Sequence, residues 1–285
     1  MTWKVAIRHT SGYRYRGEVW ASYNEARVTP LSTNRQIVLE AHVQVDPFVD
    51  TYRYWDYWGT LVDAFEVHGS HTELCVTGTS VVETSPAEAD SAASVAANFT
   101  WPALALDPDR ERLAELVNPT IYAPHITAVD EAMRPLANSL SPAIAVDEAM
   151  NWVNRQLEYQ TGATKVTTTA ADALALGLGV CQDYSHLALS ALRSLGVPAR
   201  YVSGYLHPSR NAVVGDVVQG QSHAWVEAWL GRWLGFDPTH GGGIGERHVV
   251  VARGRDYADV LPLKGVYHGG PSEALTVAVE FTRLA

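Results

Sequence analysis

Cysteine is scarce in this sequence, and so is any clustering of positive charge. Only two of its 285 residues are cysteine, Cys75 and Cys181. Two cysteines cannot build a disulfide framework, and a chain of this length needs none. No run of Lys or Arg occurs, and 21 basic residues against 31 acidic ones leave a net charge of -10. Nucleic acids and anionic membranes are bound by clustered cations that displace counterions, so neither is expected as a partner. No apolar stretch approaches the roughly 20 residues that cross a bilayer. The opening segment, Met1 to His9, lacks the apolar run of a signal peptide. A soluble, cytoplasmic protein with reduced thiols is the expectation. What is abundant is apolar material, 47% of residues against 18% charged, which is ample for buried cores.

The N-terminal part reads as β structure. Val5 to His9, Tyr13 to Arg16 and Ala41 to Val45 alternate in hydrophobicity. Asp56-Tyr57-Trp58-Gly59-Thr60 places a turn before the strand-like run Leu61 to Val67, and Leu74-Cys75-Val76 follows. Short strands at regular spacing suggest a β-sandwich-like domain over 1–84. Residues 85–109 have the small, polar, Pro-containing composition of a linker, with Phe99-Thr100-Trp101-Pro102 able to anchor its end. The remainder, 110–285, mixes helices and strands. Met150, Val153 and Leu157 recur at helical spacing after Asp147. Asp172 or a neighbour caps a short turn that ends at Gly177. Positions 181, 184, 188, 191 and 195 share one helix face, with Gly196 and Pro198 ending that helix. Strands are expected over Ala199 to Leu206, His223 to Leu230, Trp233 to Asp237 and Ala274 to Phe281.

Cys181 follows Gly177-Leu178-Gly179-Val180 and opens the helix. Unpaired N–H groups at a helix N-terminus favour a thiolate, and they also stabilise an oxyanion on an acyl carbonyl. Taken alone, such a cysteine is equally a small core residue. His223 changes the balance. In Ser222 to Leu230 the alternation puts His223, Trp225, Glu227 and Trp229 on one face. If Leu230-Gly231-Arg232 is a three-residue loop, Trp229 pairs with Trp233. Asp237 then lies diagonal to His223 on the same face. A two-residue loop would put the two on opposite faces. Cys181, His223 and Asp237 would then be nucleophile, general base and orienting carboxylate.

Four blocks of the chain closely resemble the bacterial transglutaminase-like family: Val180-Cys181-Gln182-Asp183-Tyr184-Ser185-His186, Leu195 to Tyr205, His223-Ala224-Trp225-Val226-Glu227 and Gly235-Phe236-Asp237-Pro238-Thr239. Gly254-Arg255-Asp256-Tyr257-Ala258-Asp259-Val260-Leu261-Pro262 with Gly265 is similar to a further block of the same subfamily. The resemblance extends to the N-terminal β domain. It implies an α+β fold with a papain-like transglutaminase core, in which the helix bearing Cys181 is packed on an antiparallel sheet bearing His223 and Asp237. It departs at His240, where Asn is expected after Asp-Pro-Thr; the position of His240 beyond Pro238 argues against its serving as base. The reaction implied is attack of the Cys181 thiolate on a peptide or isopeptide-like amide, with loss of an amine and an acyl-enzyme. Water or an amine then resolves that intermediate. Hydrolysis is slightly favoured, since no second-substrate channel is evident. The rival is a binding or scaffold protein on a silenced fold.

Gln182, Asp183, Tyr184, Trp225, Asp256 and Tyr257 are candidates for contact with a peptide or protein substrate, Tyr184 and Trp225 as cleft walls and the last two on the resemblance alone. First-turn Asp is in any case favoured by the helix dipole. Tyr159 reads as a core tyrosine, with oxyanion donation the alternative. His207, His240, His248 and His268 lack the close pairing of a zinc site, and Gly241-Gly242-Gly243 lacks the context of a phosphate loop, so neither a metal nor another cofactor is expected.

Overall fold

The computed structural model describes residues 2–86 and 99–285. Five strands come first: β1 (Trp3–Ala26), β2 (Gln36–Asp46), β3 (Tyr52–Trp55), β4 (Leu61–Val67) and β5 (His71–Thr84). Strand β1 has 24 residues and serves two neighbourhoods. Its first half pairs with β5 from Trp3 to Arg14, and its last residues, Ser22 to Ala26, pair with β4. The register breaks between Arg14 and Val19, where the sheet curls.

The helices follow. Two short turns, Trp101–Ala105 and Arg110–Leu113, precede α1 (Thr127–Ser139), α2 (Pro142–Gln156), α3 (Ala170–Leu176) and α4 (Cys181–Ser194). Helix α2 begins five residues before Asp147, since Pro142 at its first turn supplies a preorganised φ. Helix α3 starts at a reciprocal cap between Thr169 and Asp172 and ends at Gly177 in the left-handed region. Among the described residues no helix is long and apolar enough to cross a membrane.

The second sheet is built from β8 (Ala199–Leu206), β10 (Ser222–Trp229), β11 (Trp233–Phe236) and β12 (His248–Gly254), in the order β11-β10-β8-β12, all antiparallel. Its Ala224, Val226 and Ala228 alternate inward and share a core with Leu187, Ala188, Ala191 and Leu192 of α4. Burying such side chains supplies about 25 cal/mol per Å² of apolar area. The helix bearing Cys181 therefore lies on the sheet that bears His223. A parallel pair, β6 (Glu158–Tyr159) with β7 (Leu178–Gly179), fixes the approach to Cys181.

The pairing adds detail to two expectations. The N-terminal β region is one connected, curled eight-stranded antiparallel sheet. Three of its strands come from far beyond residue 84: β9 (Val217–Gly220), β13 (Leu263–Gly269) and β14 (Ser272–Arg283). β14 runs beside β1 from Val5 to Tyr15. Trp3, Val5, Ile7 and Phe281 join the same buried cluster as the α4 leucines. The boundary at 85–109 is thus crossed by strand pairing and by this cluster, while a second cluster around Val19, Phe65 and Leu74 is built from the N-terminal strands with Leu263. Of the expected linker, residues 87–98 lie outside the described residues. Beyond them, Phe99 and Trp101 pack on the core, and Trp101 Nε1 donates to the Leu140 carbonyl.

Candidate active site

Cys181 is the first residue of α4 and is partly exposed. Asp183, in the first turn, reaches back and accepts from the Val180 N–H at 2.8 Å and from the Thr164 hydroxyl at 2.6 Å. Gly179 makes room for it: a Cβ there would lie 2.7 Å from the Asp183 Cβ. The start of the helix is therefore locked by a side chain from inside.

The β10–β11 hairpin brings the other two residues in. Trp229 pairs with Trp233, leaving Leu230, Gly231 and Arg232 as a three-residue loop with Gly231 at φ 78°. Val226 faces Phe236, so Asp237 comes to lie on the His223 side. His223 Nε2 then donates to Asp237 Oδ2 at 2.8 Å, both side chains being buried. The Cys181 thiol lies near enough to the same imidazole to act on its titration. Nε2 being occupied by the carboxylate, Nδ1 is the nitrogen left for sulfur. Burial alone would lower the His223 pKa, but the bonds and charges of Asp237 and Cys181 outweigh it and raise it to about 9.

Asp237 has more partners than a simple triad carboxylate. Its Oδ1 accepts from the backbone N–H of Thr239 at 3.0 Å and of His240 at 3.2 Å. Its Oδ2 also accepts from His240 Nδ1 at 3.1 Å and from His248 Nε2 at 3.4 Å. Burial opposes its charge, yet these donors hold the carboxyl well below the usual range. His223, Asp237 and His248 offer ligand atoms within 4.8 Å of one another, the geometry of a metal cluster. However, the Gly245 N–H donates to His248 Nδ1 at 3.2 Å. That places the proton of a neutral His248 on Nε2, facing the carboxylate, where a metal would need a lone pair. A hydrogen-bonded carboxylate accounts for the cluster.

The six residues expected to touch substrate are placed variously. Gln182 is partly exposed beside Cys181, its amide donating to the Val166 carbonyl at 3.0 Å. Asp183 is buried, with its hydrogen bonds directed into the protein; it acts as the helix cap, and burial raises its pKa against the pull of Thr164 and Val180. Tyr184 is buried too, its hydroxyl donating to the Leu157 carbonyl at 2.6 Å. Trp225 has no exposed surface and packs with Leu31, Val202 and Val250 behind His223. Asp256 is buried and caps the turn Tyr257–Asp259, accepting from the Ala258 N–H at 2.8 Å. Asp183, Tyr184, Trp225 and Asp256 are thus supports rather than cleft surface. Tyr257 is partly exposed and stands edge-on to Tyr122 and Tyr201. Burial first raises the pKa values of Tyr257 and Tyr201; electrostatic interaction with Cys181 comes next for Tyr201, and follows Tyr13 and Tyr122 for Tyr257. Tyr159 is half-exposed, not a core tyrosine, and burial followed by Cys181 raises its pKa. It sits on β6, pinned beside Cys181 by pairing with β7. The place of His248 at this site is not legible in the sequence: no local spacing links it to Asp237, and the pairing of β12 with β8 brings it there.

Residues 131–238 match the transglutaminase-like superfamily, and residues 5–83 match the bacterial transglutaminase-like N-terminal region. An uncharacterised protein of Mycobacterium leprae is 46% identical over 283 residues, covering 99% of this chain and 100% of its own length. The chain belongs to the bacterial transglutaminase-like family. An uncharacterised protein of Mycobacterium tuberculosis is 32% identical over 293 residues, spanning 98% of this transglutaminase-like chain and 92% of that one. A protein-glutamine gamma-glutamyltransferase of Pseudomonas aeruginosa is 41% identical over 68 residues, which are 22% of this chain and 10% of that protein. Among solved structures, a proposed cysteine protease from Cytophaga hutchinsonii has the same fold, with a TM-score of 0.75 over 100% of this chain and 92% of that one, at 23% identity.

Proposed function

We propose that this transglutaminase-like protein is a cysteine-dependent enzyme acting on peptide or isopeptide-like amides through an acyl-enzyme on Cys181. The observation that carries the reading is the His223 ring, which bonds Asp237 through Nε2 and has Cys181, at the head of α4, among the groups that set its titration. In that arrangement the Cys181 thiolate attacks the amide carbonyl carbon. The oxyanion develops beside the first N–H groups of α4, which have no partner within the helix. As the C–N bond breaks, the proton on His223 passes to the leaving amine, and a thioester remains. Water then attacks, His223 takes its proton, and the thiolate is released with a carboxylate product. A primary amine in place of water gives transfer. Hydrolysis is slightly favoured as the second half. Asp237 keeps the imidazole oriented and supports its charge.

The test is acid quenching of the protein with a library of glutamine-containing and isopeptide-linked peptides, followed by mass analysis of the Cys181 peptide. A thioester adduct is expected in the native protein and absent in Cys181→Ala. Product analysis with and without added primary amine separates hydrolysis from transfer. A protein that forms no adduct, and whose Cys181 reacts with alkylating agents no faster than a free thiol, would be the silent scaffold instead.

A further inference from the structure

We propose that His248 is a positioning residue of this site: a neutral donor that shares Asp237 with His223 and so limits how tightly the carboxylate holds the proton of the general acid. The inference rests on the reading of Cys181, His223 and Asp237 given above.

The tautomer of His248 is set from both sides of its ring. The Gly245 N–H donates to Nδ1 at 3.2 Å, so Nδ1 must carry a lone pair. Nε2 then carries the hydrogen and faces Asp237 Oδ2 at 3.4 Å. The ring is held in place by its strand, β12, and by edge-on contact with the buried Trp225, at 5.3 Å between ring centroids. It is only 8% exposed. Burial lowers its pKa, Asp237 raises it, and His223 and Arg247 lower it further; the balance is downward. His248 therefore donates without gaining charge while His223 beside it does the opposite. The groups facing His223 are Cys181 from α4, Asp237 after β11, His240 on the loop beyond Pro238, and His248 from β12.

A carboxylate oxygen accepts several donors, but each one draws on the same negative charge. Here Oδ2 serves His223 at 2.8 Å, His240 at 3.1 Å and His248 at 3.4 Å. Its rotation is already fixed by two backbone donors on Oδ1. Removing His248 therefore leaves Asp237 in place but concentrates its charge on His223. The imidazolium becomes a weaker acid, and protonation of the leaving amine slows.

Two measurements test this. The first needs no substrate: in uniformly ¹⁵N-labelled wild-type protein, the His248 ring should show the neutral Nε2–H form without gaining charge from pH 7 to 9. An Nδ1–H form, or a charged ring in that range, would overturn the proposal whether or not the enzyme reading stands. The second compares His248→Phe with His248→Gln, whose amide donates near the position of Nε2. In Phe the high-pH limb of kcat/KM should move upward by roughly one pH unit, the scale of one hydrogen bond to a charged group. kcat should fall with KM little changed. Gln should restore both toward wild type. If Phe folds and keeps the wild-type limb, or if Gln shifts it equally, His248 only fills space. If the wild-type protein acylates no amide, it is the enzyme reading that fails, and the labelled spectrum still decides the His248 geometry.

Discussion

His223 and Asp237 meet across a hairpin whose loop is three residues long, and that length alone puts them on the same face. Each strand alternates with period two, so one residue more or less in the loop would turn Asp237 away from the imidazole. The turn is made by Gly231 at φ 78°.

The pairing makes stability depend on pH in a stated direction. Unfolded, the His223 side chain titrates near 6.5; folded, at about 9. Below about 6.5 both states hold the proton and the stabilisation is complete. It declines as pH rises from there and is gone above about 9. Asp237 behaves oppositely: its carboxylate is favoured by folding, so its contribution is present above the ordinary carboxylate range and is lost as pH falls through and below it. Thermal midpoints of wild type and His223→Ala should therefore differ most near pH 6 and converge toward pH 10. A gap that stays constant over that range would show that His223 is not held charged.

Much of this site is legible along the chain because its determinants are local. The alternation around His223, the glycine in the loop and the glycines before Cys181 each act within a few residues. The curled sheet is not legible that way. β14 reads as a strand, but nothing in it names β1 as its neighbour 250 or more residues away. Asp183 and Trp225 sit in the right motifs with roles that burial decides: the cap of α4 is internal, and Leu31 from the N-terminal region covers Trp225. Asp256 is similar, since its carboxylate accepts from Ala258 in its own turn and from the Tyr122 N–H.

Asp183 should matter through the helix start, not through substrate. Asp183→Ala removes the acceptor for the Val180 N–H and the Thr164 hydroxyl. Loss of a cap costs about 1 kcal/mol, and a hydroxyl left without its partner adds about 1–3 kcal/mol. A lower urea midpoint is expected, together with slower alkylation of Cys181. If instead stability is unchanged and only KM rises, Asp183 contacts substrate after all.

Behind His223 on the same strand, Glu227 accepts from Arg200 Nε at 2.6 Å and from Arg253 Nε and a terminal nitrogen at 3.0 and 3.1 Å. The guanidinium of Arg200 also lies 3.9 Å above the Trp233 ring. Glu227→Ala would leave two largely buried cations without their shared carboxylate. Breaking a buried ion pair from one side costs about 3–5 kcal/mol. Chemical denaturation should show a loss of that order. A change under about 1 kcal/mol would mean that water or another acceptor replaces the carboxylate readily.

Cys75 tests the uniqueness of Cys181. It lies in β5, where its register partners are Gly12 in β1 and Asp46 in β2. Its sulfur is within weak hydrogen-bond range of the Thr77 hydroxyl, at 4.0 Å. Cys75→Ser keeps a small polar side chain there and should leave acyl-enzyme formation at the wild-type rate. A large loss with the fold intact would remove Cys181 as sole nucleophile.

The roles of the three residues separate by step. In the proposed mechanism His223 both balances the thiolate and delivers a proton to the leaving amine, so His223→Ala should stop acyl-enzyme formation about as fully as Cys181→Ala. Asp237 touches neither sulfur nor amide in this scheme. In Asp237→Asn the backbone donors from Thr239 and His240 still have an oxygen to bind, so the loop should persist. The helix start continues to favour the thiolate, because that effect belongs to the N–H groups of α4. Alkylation of Cys181 should therefore survive in Asp237→Asn at a rate within a few fold of wild type. Amide turnover should fall by ~10²–10⁴-fold, as when the orienting carboxylate of other triads is removed, because the imidazole loses its tautomer and the support for its charge. The two rates measured on the same three variants decide the matter. Equal loss of both in Asp237→Asn would mean that Asp237 holds the sulfur or the fold in place, and the orienting role would have to be given up.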